Sequence, residues 1–172
     1  MRLDDDDFTL FGLPRRFALD EAVLAARWRE LQSHVHPDRF ASHGAAAQRV
    51  AMQWAVRINE AHRRLKDPLA RASYLCELDG RPVQGANATP VPHDVLSRQM
   101  QWHESLAETS SADEVQALDA QVRARLQAVQ TGVAADLDVH HDSGAALPKL
   151  REWMFLARLR SEVEQRLERL EG

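Results

Sequence analysis

The 172-residue chain is short of the residues that interrupt regular structure or cross-link a chain: 7 Gly, 7 Pro and a single cysteine. One cysteine, Cys76, excludes an internal disulfide and any metal site built on a cysteine pair. Few glycines and prolines, with abundant Ala, Leu, Glu, Gln and Arg, favour helix throughout. No apolar run approaches the length of a membrane span, so no membrane role is expected. No glycine-rich phosphate loop, low-complexity tract or internal repeat is present. The start, "MRLDDDDFTL", is acidic and unlike a secretory or mitochondrial signal, so the expected compartment is a reducing cytoplasm. The net charge of −4 argues against nucleic acid as the main partner. At this length the chain makes one domain or two small ones with a real core.

What is there is helical periodicity. Residues 8–13, "FTLFGL", read as one helical turn tucked onto a core and closed by Gly12 and Pro14. Leu24, Trp28, Leu31 and Val35 recur at helical steps and lay one apolar stripe, with Arg27, Arg29 and Glu30 on the other side. Pro37 stops that helix by disfavouring helical backbone in the residue before it. Trp54, Ile58, Ala61 and Leu65 form a second stripe. Asp67-Pro68 reads as an N-cap with a first-turn proline, opening a short helix, "LARASYLCEL", that ends at Asp79-Gly80.

Residues 80–92, "GRPVQGANATPVP", lack periodicity and read as a linker between domains at 1–79 and 93–172. Three amphipathic stretches follow. The first runs from about Pro92 to Leu106 and carries Leu96 and Met100. Ser111 with Glu114 forms a capping box for the second, whose seam is Val115, Leu118, Val122, Leu126, Val129, Val133 and Leu137. The third carries Leu156, Leu159, Val163, Leu167 and Leu170. Short joints between amphipathic helices predict an antiparallel three-helix bundle, so the fold class is all-α in two parts.

His36-Pro37-Asp38 joins the first two long helices. Taken alone, the triplet reads equally well as a helix stop or as a working surface. In context it lies at the tip of a helical hairpin, with proline fixing the backbone and Arg27, Arg29 and Arg39 adding positive charge nearby. That suits a rigid polar tip and basic face offered to an acidic partner.

This helix, His-Pro-Asp loop and second helix resemble a J-domain, the module that stimulates ATP hydrolysis by heat-shock chaperones. "FTLFGLP", "HPDRFAS", "INEAHRRLKDPLARASYL" and "FLARLRSEVEQRLERL" together resemble HscB-type J-domain co-chaperones of iron–sulfur cluster assembly, from about residue 7 to the end. The resemblance implies a non-enzymatic protein, without cofactor or metal, that delivers an IscU-type scaffold to an HscA-type chaperone. It implies that His36, Pro37 and Asp38 trigger the chaperone, with Arg27, Arg29 and Arg39 on the same basic surface. It implies that Leu96, Met100, Glu104, Glu108 and Phe155 form the scaffold-binding patch on the first and last bundle helices. Ser97 and Gln101 depart from that patch, standing where a larger apolar residue and an acid are usual. Animal relatives carry a cysteine-pair metal module ahead of the J-domain; its lack here resembles the bacterial form.

Other features invite other chemistry. His34 with His36, and His140-His141-Asp142, could suggest a metal-dependent hydrolase, but no ligand set at metal spacing accompanies them. Cys76, in an Ala/Leu-rich helix, reads as a small core residue. Asp4 to Asp7 read as a solvated terminal run. A general J-type chaperone for unfolded clients is the nearer rival, but it would usually show a Gly/Phe-rich linker or Cys-rich modules.

Overall fold

In the structure, a computed structural model, residues 2–35, 44–83 and 92–171 are described, residue 171 by its backbone alone. Among the described residues all regular structure is helical: α1 (Asp7–Phe11), α2 (Glu21–Val35), α3 (Ala45–Lys66), α4 (Pro68–Leu78), α5 (His93–Glu108), α6 (Ala112–Asp138) and α7 (Ser143–Glu171). The chain divides into two compact units, Met1–Leu75 and Cys76–Gly172, and the division falls inside α4.

In the first unit, α1 is short and firmly capped. The Asp6 carboxylate accepts from the Thr9 N–H at 3.1 Å. At the other end Gly12 takes φ 62°, which glycine adopts without Cβ strain, and the Leu13 N–H reaches back to the Phe8 carbonyl at 2.9 Å. This sets Phe8, Leu10 and Phe11 into the core with Leu24, Ile58, Ala61 and Leu65. Helices α2 and α3 run antiparallel. Trp28 and Gln32 donate to the Asn59 side-chain oxygen at 3.0 and 2.6 Å, while Val35 lines an apolar cavity with Ala46, Ala47 and Val50 near the start of α3. Of the expected α2 stripe, Leu24 and Val35 are buried and Trp28 and Leu31 are half-buried. Trp28 keeps its N–H on Asn59 and stacks on His62, ring centroids 4.9 Å apart. Burial, and then Lys66 one turn on, lower the His62 pKa from its usual value.

The acidic run at the start is not simply solvated, as its sequence had suggested. Asp7 is 0% exposed, with Arg57 at 2.8 Å and Arg64 at 3.3 Å from its two oxygens. Its backbone N–H donates to the Tyr74 hydroxyl at 3.1 Å. A charge leaves water only where opposite charge meets it, and two arginines of α3 do so here. Burial pushes the Asp6 carboxyl upward, but Arg15, the Thr9 hydroxyl and the Thr9 N–H outweigh it and hold its pKa at about 2.

Helix α4 begins as its sequence suggests. Asp67 accepts from the Leu69 and Ala70 N–H groups at 2.8 and 3.2 Å. It ends at Gly80, φ 72°, with the Arg81 N–H on the Cys76 carbonyl at 2.8 Å.

In the second unit, α6 and α7 are the long antiparallel pair. Val115, Leu118, Val122, Val129 and Val133 of the expected seam are buried, and Leu126 and Leu137 are half-buried. They meet Leu150, Trp153, Leu156, Leu159 and Val163 of α7; Leu170 is exposed. Three ion pairs cross between the helices: Asp119 with Arg160, Arg125 with Glu152, and Asp136 with Lys149. Residue numbers rise along α6 as they fall along α7, which is the antiparallel register. The Arg125–Glu152 pair is bidentate, at 2.6 and 2.7 Å. Ser111 caps α6 by accepting from the Glu114 N–H at 3.3 Å, and the Glu114 carboxylate reaches the Ser110 N–H at 3.4 Å. The box closes one residue earlier than the simplest form. In the segment read as linker, Val83 is buried and its carbonyl accepts from Arg151 at 3.1 Å.

Candidate partner surfaces

Helix α5 turns two unlike faces to its surroundings. Val95 and Trp102, seven residues or about two turns apart, are buried and define the inward line. Leu96 and Met100 lie off that line and are 48% and 58% exposed. Glu104 and Glu108 continue the same four-residue spacing and are exposed. The α5 part of the expected scaffold patch is therefore one outward stripe, apolar at its start and acidic at its end.

Phe155 reaches this region from α7. It is half-buried and forms a T-shaped pair with the His103 ring of α5, with centroids 5.3 Å apart and planes at 73°. Its near neighbour Trp153 is buried, so the two large residues do divide between two sides of α7. His103 Nδ1 also lies 3.6 Å from a Glu162 carboxylate oxygen. Sequence reasoning missed His103 and Glu162. The available signal was that His103 stands seven residues beyond Leu96, nearly the same azimuth on a helix. Of the two departures, Ser97 is half-buried with its hydroxyl 3.4 Å from His93 Nδ1, and Gln101 is exposed.

In the first unit, Arg27 and Arg29 are exposed on α2. Arg27 pairs with Glu30 at 3.2 Å, with both side chains more than half in solvent, so the pair is weak. His36, Pro37, Asp38 and Arg39 lie outside the described residues; α2 ends at Val35, just before them.

The remaining candidates have other tasks. Cys76 is buried, and that burial, then Asp79 and Glu77, push its thiol up to about 11, which suits a core residue and leaves no thiolate near neutral pH. His34 sits 2.8 Å from the Glu30 carbonyl oxygen. His140 and His141 are exposed, and Asp142 accepts from the Ala145 N–H at 3.0 Å, capping α7. Among the described residues no group of three or more His, Cys, Asp or Glu side chains is placed to hold a metal ion. Nor, among them, is any helix long and apolar enough to cross a membrane.

Comparison with known proteins covers both units. Residues 91–164 match the family model described as the HSCB C-terminal oligomerisation domain. A co-chaperone protein HscB homolog of Burkholderia multivorans is 46% identical over 176 residues, covering 98% of each chain. The solved structure of chaperone HscB from Vibrio cholerae is 34% identical, with a TM-score of 0.83 over 96% of this chain and 99% of that one. The human co-chaperone protein HscB superposes with a TM-score of 0.89 at 23% identity, over 100% of this chain and 86% of that one, a likeness of fold.

Proposed function

This chain belongs to the HscB co-chaperone family, and from that premise we propose how its parts divide the work. The protein is a J-type co-chaperone of iron–sulfur cluster assembly. It brings a scaffold protein to a heat-shock chaperone and stimulates that chaperone's ATP hydrolysis. In our reading the chaperone is HscA-type, the scaffold IscU-type, and the setting the cytoplasm. The catalysis belongs to the chaperone, and this chain acts by binding. Residues 1–79 are the J-domain, 80–92 the linker, and 93–172 the scaffold-binding bundle. His36, Pro37 and Asp38 act on the chaperone, with Arg27, Arg29 and Arg39 steering its approach by charge.

The observation that carries the scaffold half is the outward stripe of α5. Leu96 and Met100, 48% and 58% exposed, forgo burial that would stabilise the bundle. Apolar side chains held in water beside acids suit a docking surface better than a core. Phe155 supplies the aromatic anchor, and Glu104 and Glu108 supply the acidic rim.

The test uses purified HscA-type chaperone and IscU-type scaffold with two variants. His36→Gln is expected to abolish ATPase stimulation while its helical circular dichroism and calorimetric scaffold affinity stay at the parent's values. Leu96→Ala with Phe155→Ala is expected to do the reverse. Scaffold binding weakens, at about 1 to 4 kcal/mol for a central anchor, the melting temperature holds, and basal stimulation persists. A core role would show instead as a loss of about 2 to 5 kcal/mol of folding stability per leucine with unchanged affinity, and that outcome would remove the site.

A further inference from the structure

On the reading that Leu96, Met100 and Phe155 dock the scaffold, we infer that His103 is a positioning residue of that surface, its ring holding the Phe155 ring for docking through their T-shaped contact. Val95 and Trp102 mark the inward direction of α5. His103 is one residue past Trp102, turned by about 100° from the core. Seven residues from Leu96, it stands on the margin of the outward stripe. It therefore sits where α5's exposed face meets α7. There it spans two residues of α7 that are themselves two turns apart: its ring forms the T-shaped pair with Phe155 at 5.3 Å, and its Nδ1 lies 3.6 Å from Glu162.

The chemistry suits positioning. A ring edge carries partial positive charge and a ring face partial negative charge, so a T-shaped pair has a preferred geometry that two aliphatic groups lack. Phe155 is half-buried, so its buried side rests on the bundle and the other is open to a partner. Without a neighbour at its margin, such a ring explores several rotamers, and docking must then immobilise it. His103 restricts that motion before the scaffold arrives. It also joins the leucine–methionine stripe to the phenylalanine, which come from different helices, into one surface.

Three variants separate the ring from its polar atoms: His103→Ala, His103→Gln and His103→Phe. The first measurement needs no partner. With only 5 phenylalanines in the chain, the Phe155 ring resonances can be followed by aromatic NMR on labelled protein. Ala and Gln should shift and broaden them, while Phe keeps them narrow. Calorimetry with an IscU-type scaffold follows. Ala and Gln should raise Kd by about three- to tenfold, the range an aromatic pair commands, and Phe should restore it. All three should melt near the parent's temperature. A Gln variant matching the parent, or a Phe variant that fails to restore affinity, would overturn the role given to the ring. Leu96→Ala is run beside them. If it too leaves affinity unchanged, the docking reading has failed, and the NMR result still decides whether His103 holds Phe155.

Discussion

The two units solve the same problem, packing amphipathic helices, by different means. The first leans on aromatic rings. Phe8 stacks on Tyr74, and Trp28 stacks on His62, which also lies near Phe11. Its fully buried Asp7 fastens α1 to α3 through Arg57 and Arg64. The second unit uses two long helices with seams of Val and Leu, and three buried carboxylates along them: Asp119, Asp136 and Glu152. The difference follows from side-chain shape. A hairpin with irregular aromatic shapes has few alternative packings. Two long helices with repeating apolar steps could slide by a turn and still bury a similar area. A slide that left a carboxylate unpaired in the interior would cost several kcal/mol, so the ion pairs select one register. Register also decides which residue of α7 lies beside α5, and here it is Phe155.

That contrast can be broken or sharpened by experiment. The largest effect should come from Asp7→Asn, which keeps the shape and removes the charge between two arginines. We expect a loss of about 4 kcal/mol, with faster amide exchange in α1 to α3 and unchanged exchange in α6 and α7. Equal acceleration in both units would show that the two do not hold themselves independently. Glu152→Ala should cost about 3 kcal/mol, less because Arg125 keeps some access to solvent. Its distinctive signature should be a displaced Phe155, seen as weakened scaffold binding though neither residue of the pair lies in the proposed patch. If stability falls and scaffold affinity holds, the ion pairs have no part in placing the docking surface.

The smallest effect is acid-dependent and belongs to the first unit. Asp6 has a pKa of about 2 in the folded chain against 3.8 ordinarily. A depressed carboxyl contributes stability that is complete above its unfolded pKa and is lost as pH falls through its folded one. The window is thus from about pH 4 down to about pH 2. Asp6→Asn should flatten the stability curve of the first unit across that window. An unchanged slope would mean that the Arg15 and Thr9 contacts do not persist in solution.

Much of this was legible in the residues, and the limit has a physical cause. Helix is a local property. The stripes, the Asp67 and Ser111 caps and the stop at Gly80 all follow from interactions within a few residues, and sequence displays those directly. The His36-Pro37-Asp38 triplet is likewise a local word, recognisable without coordinates, though its own geometry lies outside the described residues. What sequence could not decide was which side of a helix meets a partner far along the chain. On α5, Val95 and Trp102 on one side and Leu96 and Met100 on the other are similar apolar residues at helical spacing. Their fates differ because α6 and α7 cover one side only. Asp7 looks like the end of an acidic run until Arg57 and Arg64, fifty or more residues on, arrive beside it. His103 looks like a surface histidine until α7 brings up Phe155 and Glu162. The sequence by itself determined the helices and their ends, because nearest-neighbour forces act there. Only the tertiary structure decided burial, register and which residues line the outward face of α5, because each depends on charges and surfaces that folding brings together across tens of residues.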